Sequence, residues 1–252
     1  MKYTQQNAQI IDSWQTKYGL PWMEPISHER YLDACRGDWD ITLTPVRPVP
    51  HHWIGDVRGK KVLGLAAGGG QQMPVLCALC AECTVLDISR TQLESEEAVA
   101  RREGYAIQLI RGDMTEPLPF PDESFDMIIN PVSNHYIEEV LPVFAECHRV
   151  LKKGGQLLCG LDTGIYWMLD SREERVVHTL PFNPLKDRAI YEELMENDMG
   201  LLFSHTLEEQ IGGQLKAGFR LLDLYEDTNG AGPLHEKNVP TFIATRCRKE
   251  DV

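Results

Sequence analysis

Lys60-Lys61-Val62-Leu63-Gly64-Leu65-Ala66-Ala67-Gly68-Gly69-Gly70-Gln71-Gln72 joins an apolar run to a cluster of glycines and then to a stretch able to start a helix. Residues 61–66 are short, apolar and bounded by turn residues, so they read as a buried strand. Glycine lets the backbone take positive φ and come close to a ligand. The helix start beyond it offers unpaired N–H groups, a natural seat for an anionic or polar ligand. On its own, a turn of this kind serves many nucleotide-binding folds, or merely packs a helix onto a strand.

The rhythm continues downstream. Residues 72–81 read as a helix and 84–88 as a second strand. Ser89-Arg90-Thr91-Gln92 has the spacing of a capping box, opening a helix to about Glu103 with Gly104 as its stop. Strands are expected at 106–111 and 124–130. Pro142 suits the first turn of a helix running to Leu151, closed by Lys152-Lys153-Gly154-Gly155 with its cations at the negative end of the dipole. A fifth strand covers 156–161. Thr206-Leu207-Glu208-Glu209 is a second capping box, and its helix ends at Gly218. Two last strands, 219–225 and 241–245, are joined by a loop too short for a crossover helix, so they should pair antiparallel. Alternation of strand and helix predicts an α/β fold with a mostly parallel sheet and helices on both faces.

Residues 1–55 have another character. Ile10, Ile11, Trp14 and Tyr18 recur near helical spacing, and Ser27 suits the cap of a second short helix. Thr44-Pro45-Val46-Arg47-Pro48-Val49-Pro50 reads as a stiff extended link. The segment is expected to form an N-terminal helical lid on a core spanning 56–252. Residues 163–205 break the strand–helix rhythm and are rich in aromatic side chains, as a substrate-side insertion would be.

Two carboxylates sit at strand ends. Asp87 closes the second strand, 17 residues after Gly70, where it can accept from both ribose hydroxyls of an adenosine ligand. Asp113, in Gly112-Asp113-Met114, closes the third strand and can accept from an adenine amino group; the plainer reading is a turn aspartate. Open α/β sheets bind ligands at the carboxyl edge where such tips gather.

With these residues in place, 60–161 resembles the core of the class I S-adenosylmethionine-dependent methyltransferases of the broad small-molecule type. The span from Asp113 to Asp126, with Leu118-Pro119-Phe120 and Ser124-Phe125-Asp126, is similar to the family's "GD…LPF…D.SFD" segment. His148-Arg149-Val150-Leu151-Lys152-Lys153-Gly154-Gly155 looks like its "R.LKPGG" segment. The closing hairpin resembles the family's sixth and seventh strands, the seventh antiparallel. The resemblance implies a seven-stranded Rossmann-like sheet with S-adenosylmethionine as cofactor. It places Gly68 and Gly70 at the cofactor's methionine part, Asp87 at the ribose, Asp113 and Met114 at the adenine, and Asn130 near the reactive methyl, with Ala66, Gln71 and Ile88 also among the cofactor-binding residues. The chain departs from the pattern twice. Gly64 stands where the family carries an acidic residue that helps hold the cofactor's amino end, and Ala66 stands where it carries glycine. Gln71 or Gln72 could compensate.

The resemblance also implies transfer of a methyl group to a small-molecule acceptor. The sulfonium brings its own electrophile, so the protein must align a nucleophile and exclude water. In Asn130-Pro131-Val132-Ser133-Asn134-His135-Tyr136, which follows strand four, His135 is the first candidate base because its ordinary pKa lies near neutrality, and Tyr136 the second. Either could instead be a packing residue. His51, His52 and Trp53 could close over the site or serve as ordinary lid contacts.

The bulk numbers limit the partners. Of 252 residues, 42% are apolar and 25% charged; the net charge is −13 and the pI about 5.1. An acidic surface repels phosphate backbones, so nucleic acid is not an expected partner. No stretch approaches a membrane span and residues 1–7 carry no signal core, so a cytoplasmic protein is expected. Cys77, Cys80 and Cys83 have C-x-x-C-x-x-C spacing but no fourth ligand nearby, and read as small apolar residues rather than a metal site. Two other functions stay open: a nicotinamide-dependent dehydrogenase, which would want a full G-x-G-x-x-G, and a non-catalytic S-adenosylmethionine-binding protein.

Overall fold

In a computed structural model describing residues 1–250, strands β1 (Lys61–Leu65), β2 (Glu82–Asp87), β3 (Gln108–Arg111), β4 (Phe125–Asn130), β5 (Leu151–Asp162), β6 (Phe219–Asp227) and β7 (Phe242–Lys249) form one sheet, ordered β3-β2-β1-β4-β5-β7-β6. The expected core end at residue 252 lies outside the described residues. Pairing is parallel from β3 to β5 and antiparallel for β5–β7 and β6–β7. The strand order reverses between β1 and β4, which opens a crevice at their carboxyl ends.

Both faces of the sheet are covered. Val62, Met73, Val85, Met127 and Leu158 belong to one apolar cluster, and Leu63, Leu65, Leu86, Ile128 and Leu157 to another. Alternate residues of β1 and β4 thus face opposite layers, as strand geometry requires, and an unbroken apolar run is what a doubly covered parallel strand needs.

The helices are α1 (Tyr3–Lys17), α2 (His28–Cys35), α3 (His51–Ile54), α4 (Gln72–Ala78), α5 (Arg90–Glu103), α6 (Leu141–Val150), α7 (Arg188–Glu196), α8 (Leu207–Lys216) and α9 (Gly232–Glu236). Their ends follow the local chemistry. Ser27 accepts from Arg30 N at the start of α2. Gly104 ends α5 in the left-handed conformation, φ 78°. Thr206 and Glu209 form a complete capping box on α8.

Four expectations are corrected. First, Ser89 caps α5 by accepting from Gln92 N (3.2 Å), but the Gln92 side chain turns away to the glycine turn and does not complete the box. Second, α6 passes directly into β5 at Leu151. Lys152 then serves the sheet edge, pairing with Asp126 (2.8 Å), which also accepts from Lys61 N (2.9 Å). Third, the proline segment is not extended: it turns back on itself, closed by a bridge between Thr42 and Pro48 and by Val49 N donating to Ile41 O. Asp227 accepts from both Val46 N and Arg47 N, and Arg47 lies over the Tyr225 ring, so β6 supplies the anchors that fold the segment into a strap. Fourth, α1 buries Thr4, Asn7, Ala8 and Trp14, while Tyr18 is exposed. Its buried face carries polar residues because Asn7 exchanges hydrogen bonds with Leu201 and donates to Tyr136 O. A hydropathy pattern cannot show a face held by such bonds.

The family-like segments have structural work. Arg149 donates to Leu118 O (3.0 Å) and Phe120 O (2.8 Å) and pairs with Asp122 and Glu146, stapling the 118–122 loop to α6. His51 stacks on Trp39, and Trp53 is buried with its Nε1 on Asp223 (3.0 Å). His51 and Trp53 pack the strap's base, His52 is exposed beside Asp223, and none of the three closes over the crevice.

Candidate functional site

At the carboxyl end of β1 the chain enters the glycine turn through Ala66, whose φ is 48°. A Cβ in this left-handed region costs about 1 kcal/mol. The glycines of the turn are each held by their N–H groups, as is Ala66. Ala66 N donates to Leu86 O (2.8 Å), Gly68 N to Asp87 Oδ2 (3.0 Å), Gly69 N to Gln92 O (2.9 Å) and Gly70 N to Glu96 Oε2 (2.8 Å). Ser95 Oγ donates to Gly69 O (3.0 Å). On the outer side, Gln71 Nε2 donates to Trp22 O and Glu24 O, each 3.0 Å. Helix α5 and the N-terminal segment therefore grip the turn from two sides.

Asp87 also accepts from Ser89 N (2.9 Å), and burial pushes its carboxyl up to about 6 against those two bonds. Ile88 N also donates to this carboxylate, which has about four acceptor sites, so one remains for a ligand. Ser89 Oγ and Thr91 N in turn donate to Asp12 of α1 (2.6 and 3.1 Å), tying α1 to the tip of β2. Neither Glu96 nor Asp12 was singled out from sequence, where each looks like a solvated helix charge. For Glu96 the signal existed: on α5 it falls i+3 from Leu93 and i−3 from Val99, on the buried face.

Burial pushes the Glu96 carboxyl up to about 7, although Gly70 N–H and the Tyr105 hydroxyl hold its ionised form. The folded value lies above the ordinary 4.5. The group therefore adds its full stability below about pH 4.5, and that contribution is lost as the pH rises to about 7. The thermal midpoint should drop between about pH 5 and about pH 8, with a Glu96 share of up to about 3 kcal/mol. Calorimetry on Glu96→Gln should show a flatter profile; an unchanged slope would place the proton elsewhere.

The turn, Asp87 and Ile88, and Gly112, Asp113 and Met114 all line one cavity of roughly 720 Å³, within the usual size for small-molecule sites of about 300–1,000 Å³. Three consecutive strand tips thus meet in one space. Asp113 lines it, yet its Oδ1 is occupied by Thr115 N and Oγ1 (2.9 and 2.7 Å), the turn role also foreseen for it. Ala66, Gly68 and Gln71 line it too, as do His135 and Tyr136.

Two expected ligand contacts do not reach the cavity. Gly70 faces the other way: a Cβ there would meet Val99 at 2.8 Å and Pro25 at 3.0 Å, so its glycine serves φ 82° and close packing. Asn130 is 1% exposed; its Nδ2 donates to Leu65 O (2.8 Å) and Ser133 Oγ (2.9 Å), and its Oδ1 faces Cys159 Sγ (3.2 Å). With its donors and acceptor used, it braces the ends of β1, β4 and β5.

The position of the missing acidic residue is filled. A Cβ on Gly64 would lie 2.7 Å from Met73 Sδ and 2.9 Å from Met73 Cγ, and Met73 is fully buried. Gly64→Ala should therefore cost about 1–3 kcal/mol by overpacking without tightening cofactor binding. Tighter S-adenosylhomocysteine binding in that variant would contradict this. Gln71 and Gln72 both line the cavity, with their Nε2 groups donating to Trp22 O, Glu24 O and Thr42 O; an ammonium would need their Oε1 acceptors.

The other end of the cavity is built by the 42–45 strap, residues 131–137, α1, Trp167, Asn229, Phe242 and Asp162. Burial holds the His135 imidazole down at about 3, so it is neutral, and pushes the Tyr136 hydroxyl up, beyond easy ionisation. Asp162 was not singled out from sequence, although it ends β5 as Asp87 ends β2. It accepts from Gly164 N and Trp167 Nε1, both at 2.6 Å, and burial raises it to about 6. Among the described residues no group of His, Cys, Asp or Glu has the arrangement of a metal site, and no helix is long and apolar enough to cross a membrane.

A parallel sheet with its last strand reversed, and a ligand cavity over the tips of β1, β2 and β3, define a class: the chain belongs to the class I S-adenosylmethionine-dependent methyltransferases. Residues 63–159 match the family described as "Methyltransferase domain". The chain is 39% identical to the uncharacterized methyltransferase YbaJ of Bacillus subtilis (strain 168) over 246 residues, 94% of this chain and 96% of that one. Among solved structures, an S-adenosylmethionine-dependent methyltransferase from Mesorhizobium loti superposes with a TM-score of 0.61 at 20% identity, covering 79% of this chain and 94% of that one. The 1,6-didemethyltoxoflavin-N1-methyltransferase of Burkholderia thailandensis, solved with 1,6-didemethyltoxoflavin and S-adenosylhomocysteine bound, gives 0.61 at 15% identity, covering 98% and 88%. The enzyme is a methyltransferase and its cofactor is S-adenosylmethionine.

Proposed function

We propose that the acceptor is a small molecule, taken into the half of the cavity facing residues 131–137, with the cofactor in the half facing the glycine turn. The observation that carries this is the single cavity shared by the turn, Asp87, Asp113, His135 and Asp162. Its chemistry fits the cofactor. Gln92 Nε2 and Thr4 Oγ1, on residues that line it, are buried without a hydrogen-bond partner. Buried polar groups left so are costly unless a ligand meets them. The formal charges lining the cavity are carboxylates, Asp87, Asp113 and Asp162, a setting that attracts a sulfonium and an ammonium. The Burkholderia relative, which holds a small molecule beside S-adenosylhomocysteine, supports the same acceptor class.

Asp87 accepts from a ribose hydroxyl, Gly68 and Ala66 give close backbone approach, and Asp113 with Met114 and Ile88 surrounds the adenine. When bound, the cofactor supplies an electrophilic methyl group on sulfur. The chain's task is to hold an acceptor atom in line with it and keep water out. His135, neutral and facing the cavity, takes up a proton where the acceptor must lose one; Tyr136 shapes the wall. Residues 1–55 form the lid, 56–252 the core, and 163–205 the insertion on the acceptor side.

Titration calorimetry tests the cofactor half: S-adenosylhomocysteine should bind and NAD should not. A panel of neutral and charged small acceptors, read by S-adenosylhomocysteine production, tests the other half. Binding of NAD in preference would refute the reading.

A further inference from the structure

Asp162 and His135 form a cluster at the acceptor end that the cofactor does not need. His135 Nδ1 lies 4.0 Å from Asp162 Oδ2 and is enclosed without a hydrogen-bond partner. The ring keeps 10% side-chain exposure and lines the cavity, while Asp162 is 3% exposed and lines it too. Trp167 Nε1 and Gly164 N fix the carboxylate. The ring packs against Tyr136, centroids 4.0 Å apart, and faces Trp167 at 6.2 Å.

We propose that Asp162 is a positioning residue that holds His135 with its proton on Nδ1, leaving Nε2 to accept the proton of an uncharged, largely apolar hydroxyl compound of the phenol or enol class. This rests on the acceptor half of the function proposed above. A lone pair on Nδ1 would face the carboxylate and be repelled, whereas an N–H there is attracted. A movement of about 1 Å makes the hydrogen bond. With Nδ1 enclosed, Nε2 is the ring nitrogen left for a ligand. Burial and the nearby His205 ring keep the imidazole neutral and weakly basic, and the hydrogen bond to Asp162 raises its proton affinity for the transfer.

The acceptor class follows from the walls. Among the described lining residues there is no lysine or arginine, so a carboxylate or phosphate on the acceptor would be buried without a counter-charge. An ammonium would be held by Asp162 in its unreactive protonated form. Leu43, Val132, Tyr136, Trp167 and Phe242 favour an apolar body. A phenolic proton, with an ordinary pKa of about 10, lies several units nearer the reach of such a base than that of a simple alcohol, and it becomes more acidic as the oxygen takes the methyl group. As the acceptor's oxygen takes the methyl group, its O–H bond breaks and the proton joins Nε2. The imidazolium formed is balanced by Asp162 and later returns the proton to water.

The test uses the full chain labelled with 15N-histidine, with and without S-adenosylhomocysteine, and His135→Gln to assign the signal. Two-bond 1H–15N spectra near neutral pH should show His135 neutral and protonated on Nδ1. In Asp162→Asn that signature should shift toward the Nε2–H form while S-adenosylhomocysteine affinity stays within about twofold; a purely structural Asp162 would leave the tautomer alone. A wild-type ring protonated on Nε2, or charged, overturns the proposal. Calorimetry on the S-adenosylhomocysteine complex should show naphthol binding at least about tenfold tighter than naphthoate; equal affinities, or binding of neither, overturn the acceptor class. Failure of S-adenosylhomocysteine itself to bind would strike the cofactor reading instead, and the tautomer can still be read without it.

Discussion

Gly160→Ala is expected to unseat the strap over the cavity and to lower stability by about 3–5 kcal/mol. Gly160 lies within β5, with Ala244 of β7 opposite it. An added Cβ would stand 2.1 Å from Leu43 O, 2.8 Å from Leu43 C and 2.9 Å from Val132 N. These are backbone atoms, which cannot rotate away as a side chain would. The strand is held on both edges by β4 and β7, so the strap has to move. That movement breaks the Val132 N to Leu43 O hydrogen bond (3.0 Å) and exposes Leu43, which is 2% exposed. Thr42, Leu43, Thr44 and Pro45 line the cavity, so its acceptor end opens to water as well. The thermal midpoint should fall by about 10 °C, and limited proteolysis should cut within the strap. A variant that melts with the wild type would show that the strap does not press on the sheet.

The second large effect concerns Asp87. Asp87→Ala should weaken S-adenosylhomocysteine binding more than tenfold, about 1.4 kcal/mol or more, through loss of a charge-assisted hydrogen bond. It also leaves Gly68 N and Ser89 N without their acceptor, which should cost a further about 1–3 kcal/mol in stability. Calorimetry well below the melting temperature separates the two losses. Unchanged affinity would remove Asp87 from the site.

Much of this site was legible in the chain. The strand tips were readable because the buried strands β1 and β2 leave apolar runs, one stopping at Leu65 just before the glycine turn and one at the carboxylate of Asp87, while Gly112–Asp113 marks the turn after β3. The two misplaced contacts, Gly70 and Asn130, sit among true cavity residues in sequence. Which way a side chain or Cα points at a turn depends on φ and on the neighbour behind it, Val99 and Pro25 for Gly70 and Leu65 O for Asn130. None of these three neighbours is close in the chain.

Local order thus determined the alternation of strands and helices, the reversed last strand and the three tips that meet in one cavity, because strand burial, helix caps and loop length are short-range effects. Tertiary structure alone decided the rest: that Glu96 reinforces the turn and Asp12 ties α1 to β2, that Met73 occupies the place of the family's acidic residue, that the proline segment folds back into a strap, and that Asp162 stands beside His135. Each is a meeting of groups distant in sequence, governed by burial and hydrogen-bond satisfaction in three dimensions, and periodicity along a chain carries no record of such meetings.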